Sequence, residues 1–79
     1  MKKDIVVGIG EIGKSILKIL SKNGVVVGFD LNHELMDGKK FEKYEDLETS
    51  LLHIAIPVTD NFINNILKLN KKFQPECIV

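Results

Sequence analysis

The chain has 79 residues, with eleven basic and eleven acidic side chains and no net formal charge. A chain of this length is one domain or part of one, and its balanced charge gives no electrostatic footprint for nucleic acid or a membrane surface. An apolar fraction of 44% is too high for a disordered segment, and the single cysteine, Cys77, excludes an internal disulfide and fits a reducing compartment.

The N-terminus, Met1-Lys2-Lys3-Asp4, leads into the apolar run Ile5 to Ile9. That run is too short for a signal peptide or a transmembrane span, so a cytoplasmic protein is expected. It is rich in β-branched residues and reads as a strand buried on both faces. Gly8, Gly10 and Gly13 punctuate the end of this run and the start of the next segment. From Glu11 to about Ser21, apolar residues recur at Ile12, Ile16, Ile19 and Leu20, with Lys14, Ser15, Lys18 and Lys22 on the other side, which is helical spacing. Asn23-Gly24 stops that helix. Val25 to Phe29 reads as a second buried strand, ending at Asp30. Strand, glycine turn, helix and strand within about thirty residues make a βαβ unit with a right-handed crossover.

Residues 31–50 are polar, and the expectation there is a loop, a short edge strand near Lys40 to Phe41 and a short helix around Tyr44 to Glu48. Leu51 to Ile56 reads as another buried strand, stopped by Pro57. Thr59 or Asp60 is the expected cap of a helix reaching about Lys72, with Phe62, Ile63, Ile66, Leu67 and Phe73 on its apolar side. Pro75 breaks it, and Cys77, Ile78 and Val79 read as the start of another strand. The pattern predicts an α/β fold: one Rossmann-like parallel sheet with flanking helices over residues 1–79. Ile5–Ile9 is expected in the middle, with Val25–Phe29 on one side and Leu51–Ile56 on the other. A doubly wound domain has about six strands, so the chain is expected to be the N-terminal portion of one.

Gly8-Ile9-Gly10-Glu11-Ile12-Gly13 matches G-x-G-x-x-G, and it follows a strand and opens a helix, as a dinucleotide fingerprint must. Gly8 serves the tight turn, Gly10 lets a pyrophosphate approach the backbone, and Gly13 lets helix and strand pack closely. The N–H groups of Glu11 and Ile12, in the first helical turn, are the expected phosphate donors. The same residues, with Lys14 and Ser15, also fit the P-loop pattern G-x-x-x-x-G-K-[ST] of nucleotide hydrolases. Three observations oppose that reading. Asp30 stands where a ribose-binding acid belongs. The strand ending Ile54-Ala55-Ile56-Pro57 has no terminal acid for magnesium. The helical pattern starts at Ile12, which puts Lys14 and Ser15 inside the helix.

Asp30 lies 17 positions after Gly13, near the roughly 20 typical of the acid that accepts the adenine ribose hydroxyls. Its charge would repel the 2′-phosphate of NADP, and the chain contains no arginine to hold that phosphate. The cofactor expected is therefore NAD.

Three segments together resemble the NAD-binding domains of the 6-phosphogluconate dehydrogenase-like superfamily: Val6 to Ser15, Val27-Gly28-Phe29-Asp30, and Leu52-His53-Ile54-Ala55-Ile56-Pro57. Within it the chain is most similar to UDP-glucose/GDP-mannose dehydrogenases, and next to prephenate dehydrogenases. The resemblance implies that the strand ending in a small residue and proline lies beside the first strand, with the cofactor crossing between them. Ala55, Ile56, Pro57 and Val58 would then line the cofactor crevice, and Thr59 would reach it, with a valine standing here between proline and threonine. It also implies that catalytic residues belong to a later helical domain, outside these residues.

Cys77 reads as a small buried apolar residue of a strand, not a nucleophile. His53 is mid-strand and reads as structural, and His33 as an exposed loop residue close enough to Asp30 to edge the adenine site. The two histidines and one cysteine lack metal-ligand spacing. The expected function is the NAD-binding portion of an oxidoreductase acting on an alcohol or hydroxy group. Its expected partners are NAD and a small-molecule substrate held by a further domain, with a homo-oligomer left open. Two alternatives stand beside it: a non-catalytic dinucleotide-binding module and a P-loop nucleotide hydrolase.

Overall fold

The computed structural model describes residues 2–36, 38–56 and 60–79, apart from the side chains of His33 and Lys39. Four strands form one sheet: β1 (Lys2–Val7), β2 (Val26–Phe29), β3 (Glu48–Ile54) and β4 (Cys77–Ile78). Three helices connect them: α1 (Glu11–Leu20), α2 (Gly38–Lys43) and α3 (Phe62–Phe73), with a short 3-10 turn at His33–Leu35. The sheet order is β2-β1-β3-β4 and every pairing is parallel. The molecule is thus an α/β structure whose parallel sheet is flanked by helices, compatible with part of a Rossmann-like fold. The first strand lies between the second and third, as expected, because its residues Ile5, Val6 and Val7 are buried on both faces.

Strand alternation divides the core in two. Ile5, Val7, Val27, Phe29 and Leu52 gather on one face with Leu69 and Phe73 of α3 and Phe41 of α2. The other face carries α1, whose Leu17 lies over Gly28 beside Ile9. Among the described residues, no helix is long and apolar enough to cross a membrane.

Several boundaries differ from the sequence reading. Lys40 and Phe41 belong to α2, not to an edge strand, and Tyr44 to Asp46 form a turn instead of a helix. Aromatic packing explains the first difference. The Phe41 ring lies 5.9 Å from that of Phe29 and 6.0 Å from that of Phe73, and Phe29 and Phe73 meet edge-on at 5.2 Å. A single helical turn presents Phe41 to both partners. A buried cation explains the second. Lys3 is only 5% exposed, and its ammonium donates to the carbonyls of Tyr44 (3.0 Å), Glu45 (3.3 Å) and Leu47 (2.7 Å). Convergence of those three carbonyls on one charge holds residues 44–47 in a turn, in which the Tyr44 carbonyl also accepts the Leu47 N–H at 3.1 Å. β3 follows that turn directly, starting at Glu48, and it ends at Ile54, two residues short of Ile56.

The helices present different stripes to the sheet from those predicted. In α1 the buried position is Gly13, with Ile16, Leu17 and Leu20 half-buried, while Ile12 is 72% and Ile19 63% exposed. Close approach at Gly13 sets the helix rotation, so the stripe runs from the glycine. In α3, Leu69 is buried and Phe62, Asn65, Ile66 and Phe73 are half-buried, whereas Ile63 and Leu67 are 71% and 60% exposed. Here the edge-on contact of Phe73 with Phe29 fixes the rotation. The N-cap position of α3 is Asn61, without a side-chain capping bond; Asp60 precedes the helix and Thr59 lies outside the described residues.

Candidate functional site

The glycine loop is built by three close approaches. Gly8 has φ +94°, a conformation that side-chain-bearing residues rarely adopt. A Cβ there would stand 2.8 Å from both the Ala55 carbonyl oxygen and Ile56 Cγ2, so the loop lies directly against the end of β3. A Cβ on Gly13 would collide with the Gly8 carbonyl oxygen, so the first turn of α1 lies directly against the loop. Gly10 is the reverse case, since a Cβ there would meet nothing within 4 Å. It is the N-cap of α1, its carbonyl accepting from the Lys14 N–H at 2.8 Å. The amides of Glu11, Ile12 and Gly13 precede the first intrahelical donor, so they face outward from the helix start. Exposed Gly10 and the positive end of the helix dipole border the same open space.

Asp30 completes this mouth at the end of β2. Its Oδ2 accepts the Ile9 N–H at 2.7 Å and its Oδ1 accepts the Asn32 N–H at 2.8 Å. The carboxylate therefore does two things: it clamps the glycine loop to β2, and it fixes the turn after that strand. Each oxygen keeps a second lone pair for a ligand hydroxyl. The strand ends are tied in turn, with Gly8 N–H donating to the Phe29 carbonyl and Ala55 N–H to the Val7 carbonyl, both at 2.8 Å.

The structure thus brings Gly8, Gly10, Glu11, Ile12, Gly13, Asp30, Ala55 and Ile56 to one edge of the sheet, where the strands end. Chain order reverses there: β1 is followed by β2 on one side and adjoins β3 on the other. Such a crevice is where open α/β sheets bind ligands. Pro57 and Val58 lie outside the described residues.

Sequence reasoning missed the floor of this mouth. A hollow of about 120 Å³ opens beside Asp30, lined mainly by Leu31, Ile56, Asn65, Lys68 and Leu69 with Gly8. Asn65, Lys68 and Leu69 are three and four positions apart on α3, one face of a helix. Counting back from Leu69 would have found them. A second, open cavity of about 540 Å³ lies at the other edge of the sheet, around Lys3, Phe41, Asp46, Lys72 and Glu76.

The remaining candidates sit apart from the mouth. His53 Nε2 lies 3.2 Å from Asp4 Oδ2, and the other oxygen of Asp4 accepts the Leu51 N–H at 3.3 Å. His53 is therefore a cross-strand structural partner. Cys77 is exposed on β4, not buried as expected, because β4 is an edge strand of the sheet. Ser15 donates to the Glu11 carbonyl at 3.0 Å within α1 and Lys14 is exposed. Among the described residues, no group of three potential metal ligands exists. No protein-family model matches the chain, and neither a curated protein nor a solved structure matches it.

Proposed function

We propose that the chain is the NAD-binding portion of an oxidoreductase that acts on an alcohol or hydroxy group, as its resemblance to sugar-nucleotide dehydrogenases suggests. The observation that carries the reading is the bond from the Ile9 amide to Asp30, which joins acid, glycine loop and helix start in one mouth. The residues present fit a dinucleotide. Open space at Gly10 leaves room for a pyrophosphate against the backbone, and the first amides of α1 donate to it. Asp30 accepts ribose hydroxyls on its spare lone pairs. When bound, NAD supplies the hydride acceptor, and the protein supplies binding and orientation.

The P-loop alternative is supported less well. A phosphate-wrapping loop needs its lysine and serine at the helix start, but α1 begins at Glu11 and Ser15 is bonded within the helix. Thermal melting of the purified chain with NAD, NADP or magnesium-ATP distinguishes the readings. NAD at about 100 times its dissociation constant should stabilise by roughly 2.7 kcal/mol, a rise of several degrees for so small a domain. NADP at equal concentration should do much less. Stabilisation by magnesium-ATP but by neither dinucleotide would replace this reading with the P-loop one.

A further inference from the structure

Asn65 is the one side-chain amide lining a hollow whose other described walls are mostly aliphatic, with Asp30 and Lys68 as its charged members. It is half-buried on α3, it lines the hollow beside Asp30, and among the described residues its side chain has no hydrogen-bond partner. Leu31, Ile56 and Leu69 supply apolar walls around it, and the hollow also borders Gly8 and Asp30. A ring lodged between those walls meets one side-chain amide, and an amide offers a donor and an acceptor side by side. That pair is complementary to the N6 amino group and N7 of adenine, the pairing by which asparagine reads adenine elsewhere. Hypoxanthine presents two acceptors at the same edge and leaves the amide oxygen unmatched.

We propose that Asn65 is a specificity-determining residue that selects adenine as the base of the bound dinucleotide; this rests on the dinucleotide reading of the mouth. Lys68, on the same rim and without an ion-pair partner among the described residues, contributes to any nucleotide regardless of base.

The test is titration calorimetry of the purified chain with NAD and with its hypoxanthine analogue. The expected result is about tenfold tighter binding of NAD, with the ratio falling to near one in Asn65→Leu and in Asn65→Ala. Lys68→Met should weaken both ligands by the same factor and keep the ratio. Equal binding of the two ligands by the unsubstituted chain overturns the proposal and leaves the dinucleotide site standing. A preference that survives in either folded Asn65 variant also overturns it. Binding of neither ligand removes the dinucleotide reading and this proposal with it. The two-ligand comparison needs no variant to fold.

Discussion

Two glycines three positions apart make opposite predictions. A side chain at Gly10 meets no protein atom, so Gly10→Val should leave the unliganded fold nearly unchanged, at a cost of about 1 kcal/mol or less for a poorer cap. It should nonetheless abolish NAD binding, because the added methyls fill the space left for the pyrophosphate. A side chain at Gly13 meets the Gly8 carbonyl, so Gly13→Ala should destabilise by about 1–3 kcal/mol. Urea unfolding and NAD titration on both variants check the contrast. Asp30 combines the two effects. Asp30→Ala strands the amide of buried Ile9, at about 1–3 kcal/mol. Asp30→Ser should narrow the gap between NAD and NADP affinities by weakening the first and relieving repulsion of the second. Measured dissociation constants with an unchanged gap would show that Asp30 serves the loop alone.

At the scale of elements, Lys3 holds the turn between α2 and β3. Burial pulls its ammonium below the ordinary lysine value of 10.5, with the charges of Glu45 and Asp46 partly opposing. Because the folded value is the lower one, the unfolded chain binds more protons between the two values, and stability rises with pH across that window. Below the folded value both states carry the ammonium and the burial cost is fully present; above 10.5 both are neutral. Lys3→Met should lower stability by about 1–3 kcal/mol at pH 7 through its three lost carbonyl bonds. The variant should also lack this alkaline rise, and urea midpoints of both proteins from pH 7 to 11 would reveal it. The same lysine shows where sequence reading stops. Runs such as Ile5–Ile9 and Val25–Phe29 declare buried strands through composition, and the glycine spacing declares the turn between strand and helix. Residues 31–50 are arranged by partners far along the chain: Lys3 for the turn, Phe29 and Phe73 for α2. No local window contains them. The candidate site divides the same way. Its glycines and Asp30 form a pattern within one βαβ unit, whereas Asn65 and Lys68 come to it from α3, far along the chain.

For the whole molecule, the radius of gyration of 11.6 Å equals the value of about 11.6 Å for a compact chain of this length. The accessible surface of 5625 Å² exceeds the roughly 4800 Å² typical of this mass. Ile12, Ile19, Ile63 and Leu67 standing in water are part of that excess. A chain of this size has a stability of about 4–12 kcal/mol, so the contribution expected from bound NAD is a large fraction of the total. Ligand should therefore slow proteolysis across the whole molecule as well as at the mouth.

The order of strands also bears on synthesis. The earliest of the four described strands is the one both neighbours must embrace, and its second neighbour ends at Ile54. Until that segment leaves the ribosome, Ile5, Val6 and Val7 have one sheet partner at most, although in the finished molecule none of them is more than 2% exposed. Vectorial emergence thus holds an adhesive stretch open while residues 30–54 are added, an interval of a few seconds at about 5–20 residues per second. Nascent chains stalled with residue 47 just outside the exit should be cut by protease near Ile5–Val7. Chains stalled with α3 fully exposed should resist, and equal cleavage of both would show that β1 is sheltered before its second partner arrives.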